Sequence, residues 1–265
     1  MTNSVSFPHK ATLYAKIRRI LQTDPVITAQ QLEHRIGLIP SRIQHRPNSK
    51  DWFELLQNAE FACVERSVKT SVGARVSSVE QFICASKRVA ALTDWNLRQL
   101  AGLTALRDGL SIPAEHWQLR ALERTNLSDV AIPDAMIYES RANKPKARFD
   151  EYGKFKGLRP VIKASPASLI AVEWDSGSAT RTELTQKIQS YCLIAAHQIW
   201  AAPTVARAET ILELLERELP NRGLMVVAVD WRTGKLLRLM LADRGNGLRQ
   251  VLTRVMPVDA SWKIE

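Results

Sequence analysis

Residues 170–191 read IAVEWDSGSATRTELTQKIQSY. The run opens with the apolar residues of a core strand, yet it carries Glu173 and Asp175 two positions apart. It then turns at Ser176 and Gly177 into a helix that presents Lys187. Removing an unpaired carboxylate from water costs roughly several kcal/mol, so two acids at the end of a core strand imply a partner cation or a use. Strand, turn and helix in this order make an α/β unit, and the partner is to be sought on either side of it.

Upstream, VAIPDAMIYES (130–140) reads as a second short strand, with Asp134 at its start. If the two strands are neighbours, Asp134, Glu173 and Asp175 converge at one sheet edge. Such a set suits a hard divalent cation, Mg²⁺ or Mn²⁺, which takes carboxylates and water. A cation held by acids lowers the pKa of a bound water and stabilises charge on a phosphate in flight. Lys187 on the following helix supplies a point charge toward that phosphate, and Tyr191, one turn on, shares its face. Glu183 precedes Lys187 by four residues, so a helix-surface ion pair is the competing reading of Lys187. His116 is a candidate proton shuttle, and His197 reads as a core histidine on an apolar helix face.

Charge points the same way. The chain of 265 residues carries 37 Lys and Arg against 27 Asp and Glu, a net +10. A fold gains nothing from such an excess, whereas a polyanion partner gains affinity through released counterions, so DNA is the leading partner. Segment 141–166 holds Arg141, Lys144, Lys146, Arg148, Lys154, Lys156, Arg159 and Lys163 against Asp150 and Glu151, more than half of the net charge. Phe149, Tyr152 and Phe155 are interleaved with them, which suits backbone tracking and base stacking. Cys63, Cys84 and Cys192 have no metal-ligand spacing and read as reduced core residues. No apolar run spans a bilayer, and MTNSVSFPHK has no hydrophobic signal core, so the expectation is a cytoplasmic protein with no membrane partner.

The N-terminal part reads as a DNA-binding module. Leu13, Ile17, Ile20 and Leu21 recur at helical spacing. In ITAQQLEHRIGLIPSRIQHR (27–46), Thr28 caps a helix to Ile36, Gly37 ends it, and Pro40 opens a second helix bearing Arg42, His45 and Arg46. That is a helix-turn-helix pattern, whose second helix lies in the major groove. FACVERSVKTSVGARVSS (61–78) alternates about TSVG as a β-hairpin wing would. Residues 78–92 and 94–106 are predicted as two further helices. Beyond Pro113 the order is strand, basic segment, strand 168–174, helix 178–200, helix 205–220, and two strands joined at WRTG (231–234). The class is α/β (α+β) with two domains, 1–110 and 111–265.

The fragments IPDA, VEWDSG and LTQKIQSY, in this order and placed strand to helix, resemble the plasmid replication-relaxation and mobilisation group. The likeness runs from Trp117 to Tyr191, and more loosely over the N-terminal part. It implies an N-terminal winged helix followed by a mixed sheet of the PD-(D/E)xK restriction-endonuclease kind. It further implies Asp134 and Glu173 as metal acids, with Asp175 as an additional ligand or a neighbour of the ligands. The chain departs from the common nuclease pattern, which places Lys two residues after the Glu, where this chain has Asp175. Either Lys187 on the helix supplies the missing charge, or the site serves only as a DNA-binding scaffold. The expectation is a DNA-binding protein of a mobile element with metal-dependent nicking or cleaving activity. The alternative is a non-catalytic DNA-binding protein in plasmid replication, transfer, transposition or transcription control. Partner proteins of a nucleoprotein complex and a homodimer remain open.

Overall fold

The computed structural model describes residues 10–36, 49–69, 77–123, 132–139, 146–149, 155–159, 169–242 and 247–255. The chain divides into two compact units, one of residues 1–69 and 76–101, the other of 102–265 with 70–75.

In the first unit, α1 (Lys10–Thr23), β1 (Val26–Thr28), α2 (Ala29–Ile36) and α3 (Ser49–Asn58) precede the strands β2 (Ala62–Lys69) and β3 (Ser77–Cys84) and a short α4 (Lys87–Ala90). The sheet order is β1-β3-β2, antiparallel throughout. Thr28 starts α2 as its sequence implies: its Oγ1 accepts the Gln31 N–H at 3.0 Å while Gln31 Oε1 accepts the Thr28 N–H at 3.1 Å. This reciprocal cap satisfies two amides that a helix start leaves open. Ile17, Leu21, Ile27, Leu32, Leu56 and Ile83 fill the core beneath. The helix expected to carry Arg42, His45 and Arg46 lies outside the described residues.

Residues 78–92 are not the helix expected from their pattern. Residues 77–84 form β3, the central strand of this sheet, and only Lys87–Ala90 is helical. Phe82 and Ile83 are both fully buried, one toward each face. Pairing with β1 and β2 decides the matter, and such long-range contacts outweigh local preference. Cys84 and Cys63 stand opposite neighbouring positions of this sheet and are free thiols. Burial pushes Cys84 up to about 12 and Cys63 up to about 11. Both are therefore expected to react with a disulfide reagent far more slowly than a free thiol at mildly alkaline pH, because the thiolate is the nucleophile. A rapid phase of two or three equivalents in a thiol titration would refute this.

Helix α5 (Asp94–Gly109) leads into the second unit, which contains β4 (Trp117–Leu119), β5 (Ala135–Tyr138), β6 (Lys146–Phe149), β7 (Phe155–Arg159), β8 (Leu169–Trp174), α6 (Arg181–Tyr191), β9 (His197–Ala202), α7 (Val205–Glu218), β10 (Leu224–Asp230), β11 (Lys235–Ala242) and α8 (Gly247–Val255). Six strands form a mixed sheet in the order β11-β10-β9-β8-β5-β4. β8, β9 and β10 are parallel, linked through α6 and α7, and the strands outside them are antiparallel. Both helices pack on one sheet face, where Leu184, Ile188, Ile211 and Leu215 meet Met136, Ala171, Trp200 and Val226.

The expected helix 178–200 is two elements. α6 stops at Tyr191, and 197–202 is β9, buried at the centre of the sheet between β8 and β10. A strand flanked on both sides in a parallel sheet reads as a continuous apolar run, which periodicity alone does not separate from a buried helix.

Candidate functional site

The register builds the site. Ala135 pairs with Val172, so the next pair outward along β5 and β8 brings Asp134 opposite Glu173 on the face that carries α6 and α7. Ala121 and Arg120 donate their N–H groups to the Asp134 carbonyl at 2.9 and 2.7 Å, extending the β4–β5 pairing to the same level. Beyond Glu173 the row continues with Trp200 and Val226. Polar residues at one edge of the row thus give way to core in the middle of the sheet.

Asp134 is completely buried, and its Oδ2 accepts the Trp174 N–H at 2.9 Å. Glu173 is 1% exposed, and both of its oxygens are engaged. Lys187 Nζ donates to Oε1, and the Tyr191 hydroxyl donates to Oε2 at 2.6 Å. The Tyr191 ring lies against Trp200, centroids 6.0 Å apart. Lys187 is 31% exposed, so the pair opens to solvent on the lysine side. Burial first, and the Asp134 charge second, raise the Glu173 carboxyl to about 7, against the lowering effect of Lys187 and Tyr191.

The competing ion pair does not form here: Glu183 caps its own helix, accepting the Thr180 N–H at 2.7 Å, while Lys187 turns to Glu173. Asp175 does not join the other two acids. Its Oδ2 receives Arg207 Nε from α7, and its Oδ1 accepts the Gly177 N–H at 3.2 Å. Among the described residues no group of three His, Cys, Asp or Glu side chains is gathered as a metal cage. The donor set is therefore a pair, Asp134 with Glu173, rather than the expected three acids. Two buried carboxylates on adjacent strands still fit a hard cation, since the Asp134 charge raises the cost of ionising Glu173 and a positive charge between them removes it.

His116 is placed elsewhere: its Nδ1 lies 2.7 Å from the Tyr138 carbonyl, at the end of β5 opposite Asp134. His197 stands at the start of β9, not on a helix. The basic segment is likewise rooted at that far end, leaving β5 after Tyr138 and returning at Leu169. Within it β6 and β7 pair antiparallel, with Lys146 opposite Arg159 and Arg148 opposite Gly157; Lys156 lies in β7, and Lys144 and Lys154 lie outside the described residues. Its two ends therefore join the strands away from Asp134 and Glu173. Arg207 escaped the sequence reading, although a signal existed. It is the first member of the stripe Arg207, Ile211, Leu214 and Leu215, and a cation on the buried face of a helix calls for a buried anion.

Because Glu173 is raised from 4.5 to about 7, the folded chain holds a proton that the unfolded chain has released. The stability from this proton is fully present below a pH of about 4.5 and is lost as pH rises through about 7. Glu173→Gln cannot titrate, so its urea-unfolding free energy is expected to decline less between pH of about 5 and about 8 than that of the wild type. Parallel curves for the two proteins would contradict the assignment.

No family model matches the chain, and neither a curated protein nor a solved structure matches it.

Proposed function

We propose that the protein is a DNA-binding, metal-dependent endonuclease or nickase. The observation that carries this reading is the pair of buried carboxylates, Asp134 and Glu173, on adjacent strands with the Lys187 ammonium at their solvent side. Asp134 and Glu173 would hold Mg²⁺ or Mn²⁺, which supplies an activated water and charge neutralisation at the phosphate. Lys187 then leaves Glu173 for a non-bridging phosphate oxygen, as a point charge on a flexible stem. Tyr191 keeps Glu173 oriented through its hydroxyl, and its burial at 1% exposure makes it a support rather than a nucleophile. DNA as the polyanion is supported by the net +10 and by the basic segment 141–166. The order α-β-α-α-β-β with strand order β1-β3-β2 supports a winged helix in the first unit.

The engagement of both Glu173 oxygens by Lys187 and Tyr191 favours a second reading, in which a self-neutralised site serves a non-catalytic DNA-binding protein of plasmid replication, transfer, transposition or transcription control. Incubating supercoiled plasmid with Mg²⁺ or Mn²⁺ separates the two. Nicking by the wild type, lost in Glu173→Gln while DNA binding persists, is the expected result. Equal DNA binding by both proteins with no cleavage by either would leave the second reading standing.

A further inference from the structure

We propose that Asp175 and Arg207 form a clamp that positions α6, making both residues necessary for placing Lys187 at Glu173 although neither touches metal or DNA. The inference rests on the nuclease reading for its catalytic consequence, but the clamp itself is a matter of geometry. The turn between β8 and α6 is held at each end. At its start, the Asp175 N–H donates to the Ala201 carbonyl at 2.8 Å, continuing the β8–β9 ladder by one residue. The carboxylate of Asp175 accepts Arg207 Nε and the Gly177 N–H, and Gly177 has a φ of 96°, a backbone conformation natural to glycine. At its end, Arg207 Nη2 donates to the Ala179 carbonyl at 2.6 Å, immediately before Thr180, the residue that caps α6. One guanidinium from α7 therefore grips both ends of the turn.

The choice of residues argues for positioning rather than for bulk stability. A buried ion pair adds little stability over apolar residues of similar size, but its fixed geometry specifies one arrangement. A lysine offers its donors from a single point, whereas the planar fork of arginine reaches the carboxylate and the carbonyl from two nitrogens held apart. Each residue by which the start of α6 slipped would rotate Lys187 and Tyr191 by about 100° and move them by about 1.5 Å. Both would then lose Glu173. The acid found where the common nuclease pattern has a lysine thus belongs to a device that delivers a lysine from the helix.

The test uses the full chain, with Arg207→Gln, Arg207→Lys and Asp175→Asn beside Glu173→Gln. Hydrogen exchange at the amides of residues 177–186 is expected to accelerate by at least about tenfold in Arg207→Gln, while α7 and the first unit exchange as in the wild type. Plasmid cleavage by Arg207→Gln and Asp175→Asn is expected to fall about 10²-fold in kcat with KM unchanged, as for a small misplacement of a catalytic group. Arg207→Lys should recover part of the loss. The Mn²⁺ concentration for half-maximal cleavage should stay at its wild-type value in Asp175→Asn. A rise of about tenfold or more there would make Asp175 a ligand and overturn the clamp. Unchanged exchange at residues 177–186 in Arg207→Gln would also overturn it. If the wild type neither cleaves nor binds Mn²⁺, the nuclease reading fails and the exchange result alone decides the clamp.

Discussion

Lys187→Met is expected to abolish detectable plasmid nicking while leaving the protein folded and its DNA binding intact. Removing one preorganised charge from a developing phosphate transition state lowers kcat by about 10²–10³-fold. Met keeps the length and apolar stem of lysine, so packing beside Ile188 changes little. The consequence for stability depends on pH. Without Lys187, the Glu173 carboxylate loses the main influence holding its pKa down, and burial together with Asp134 pushes it further above about 7. A buried acid in that position takes up a proton rather than bearing the charge. The variant should match the wild type in mildly acidic solution and fall behind it as the pH rises above neutral. Cleavage at wild-type rate would remove Lys187 from the mechanism, and a uniform loss of stability at every pH would show that the lysine stem matters more than its charge.

The largest structural effect is expected at Gly102, one position inside the second unit. A Cβ placed there would lie 2.4 Å from Cε2 of Trp174 and 2.5 Å from its Cδ2, well inside van der Waals contact with the indole. Alanine in a helix interior normally gains up to about 1 kcal/mol over glycine. Here the ring must shift to make room, and Trp174 is 3% exposed at the end of a strand paired on both sides. Overpacking of this kind costs about 1–3 kcal/mol, so the net sign is destabilising. The site should suffer as well, because the Trp174 N–H is the donor to Asp134. Thermal unfolding checks the first part and Mn²⁺-dependent cleavage the second. Pairing Gly102→Ala with Trp174→Leu should restore much of the lost stability. An alanine variant as stable as the wild type would show that the indole shifts freely.

The parts of this fold that were legible are those whose determinants are local. VEWDSG announces a strand that ends in a glycine turn into a helix, and strand and helix start stand where the sequence places them. Asp134 and Glu173 were legible as a pair because each marks the end of an apolar strand, and antiparallel register then puts them opposite one another. What escaped depends on partners remote in sequence. β3 and β9 were read as helix because an apolar run carries no record of the strands that flank it, and both proved central in their sheets. Asp175 was assigned to the metal because its partner, Arg207, lies 32 residues away on another helix. Its spacing from Glu173 implied a shared face and said nothing of which cation each acid would meet. Nor did the order of segments show that the basic stretch joins β5 and β8 at the end away from the acids.

That last arrangement separates the root of the basic segment from the pair of acids. Four residue steps of strand, at about 3.3 Å each, set the root of the basic segment about 13 Å from Asp134. The spacing is set by the paired backbones of β5 and β8 rather than by side chains that drift with substitution. Insertions, deletions and exchanges of charge between 140 and 168 enter the chain at the end of the strands away from the contacts that Asp134 and Glu173 make with Trp174, Lys187 and Tyr191. On the proposed reading, the hold on a polyanion and the chemistry at the acids can thus be retuned one without the other.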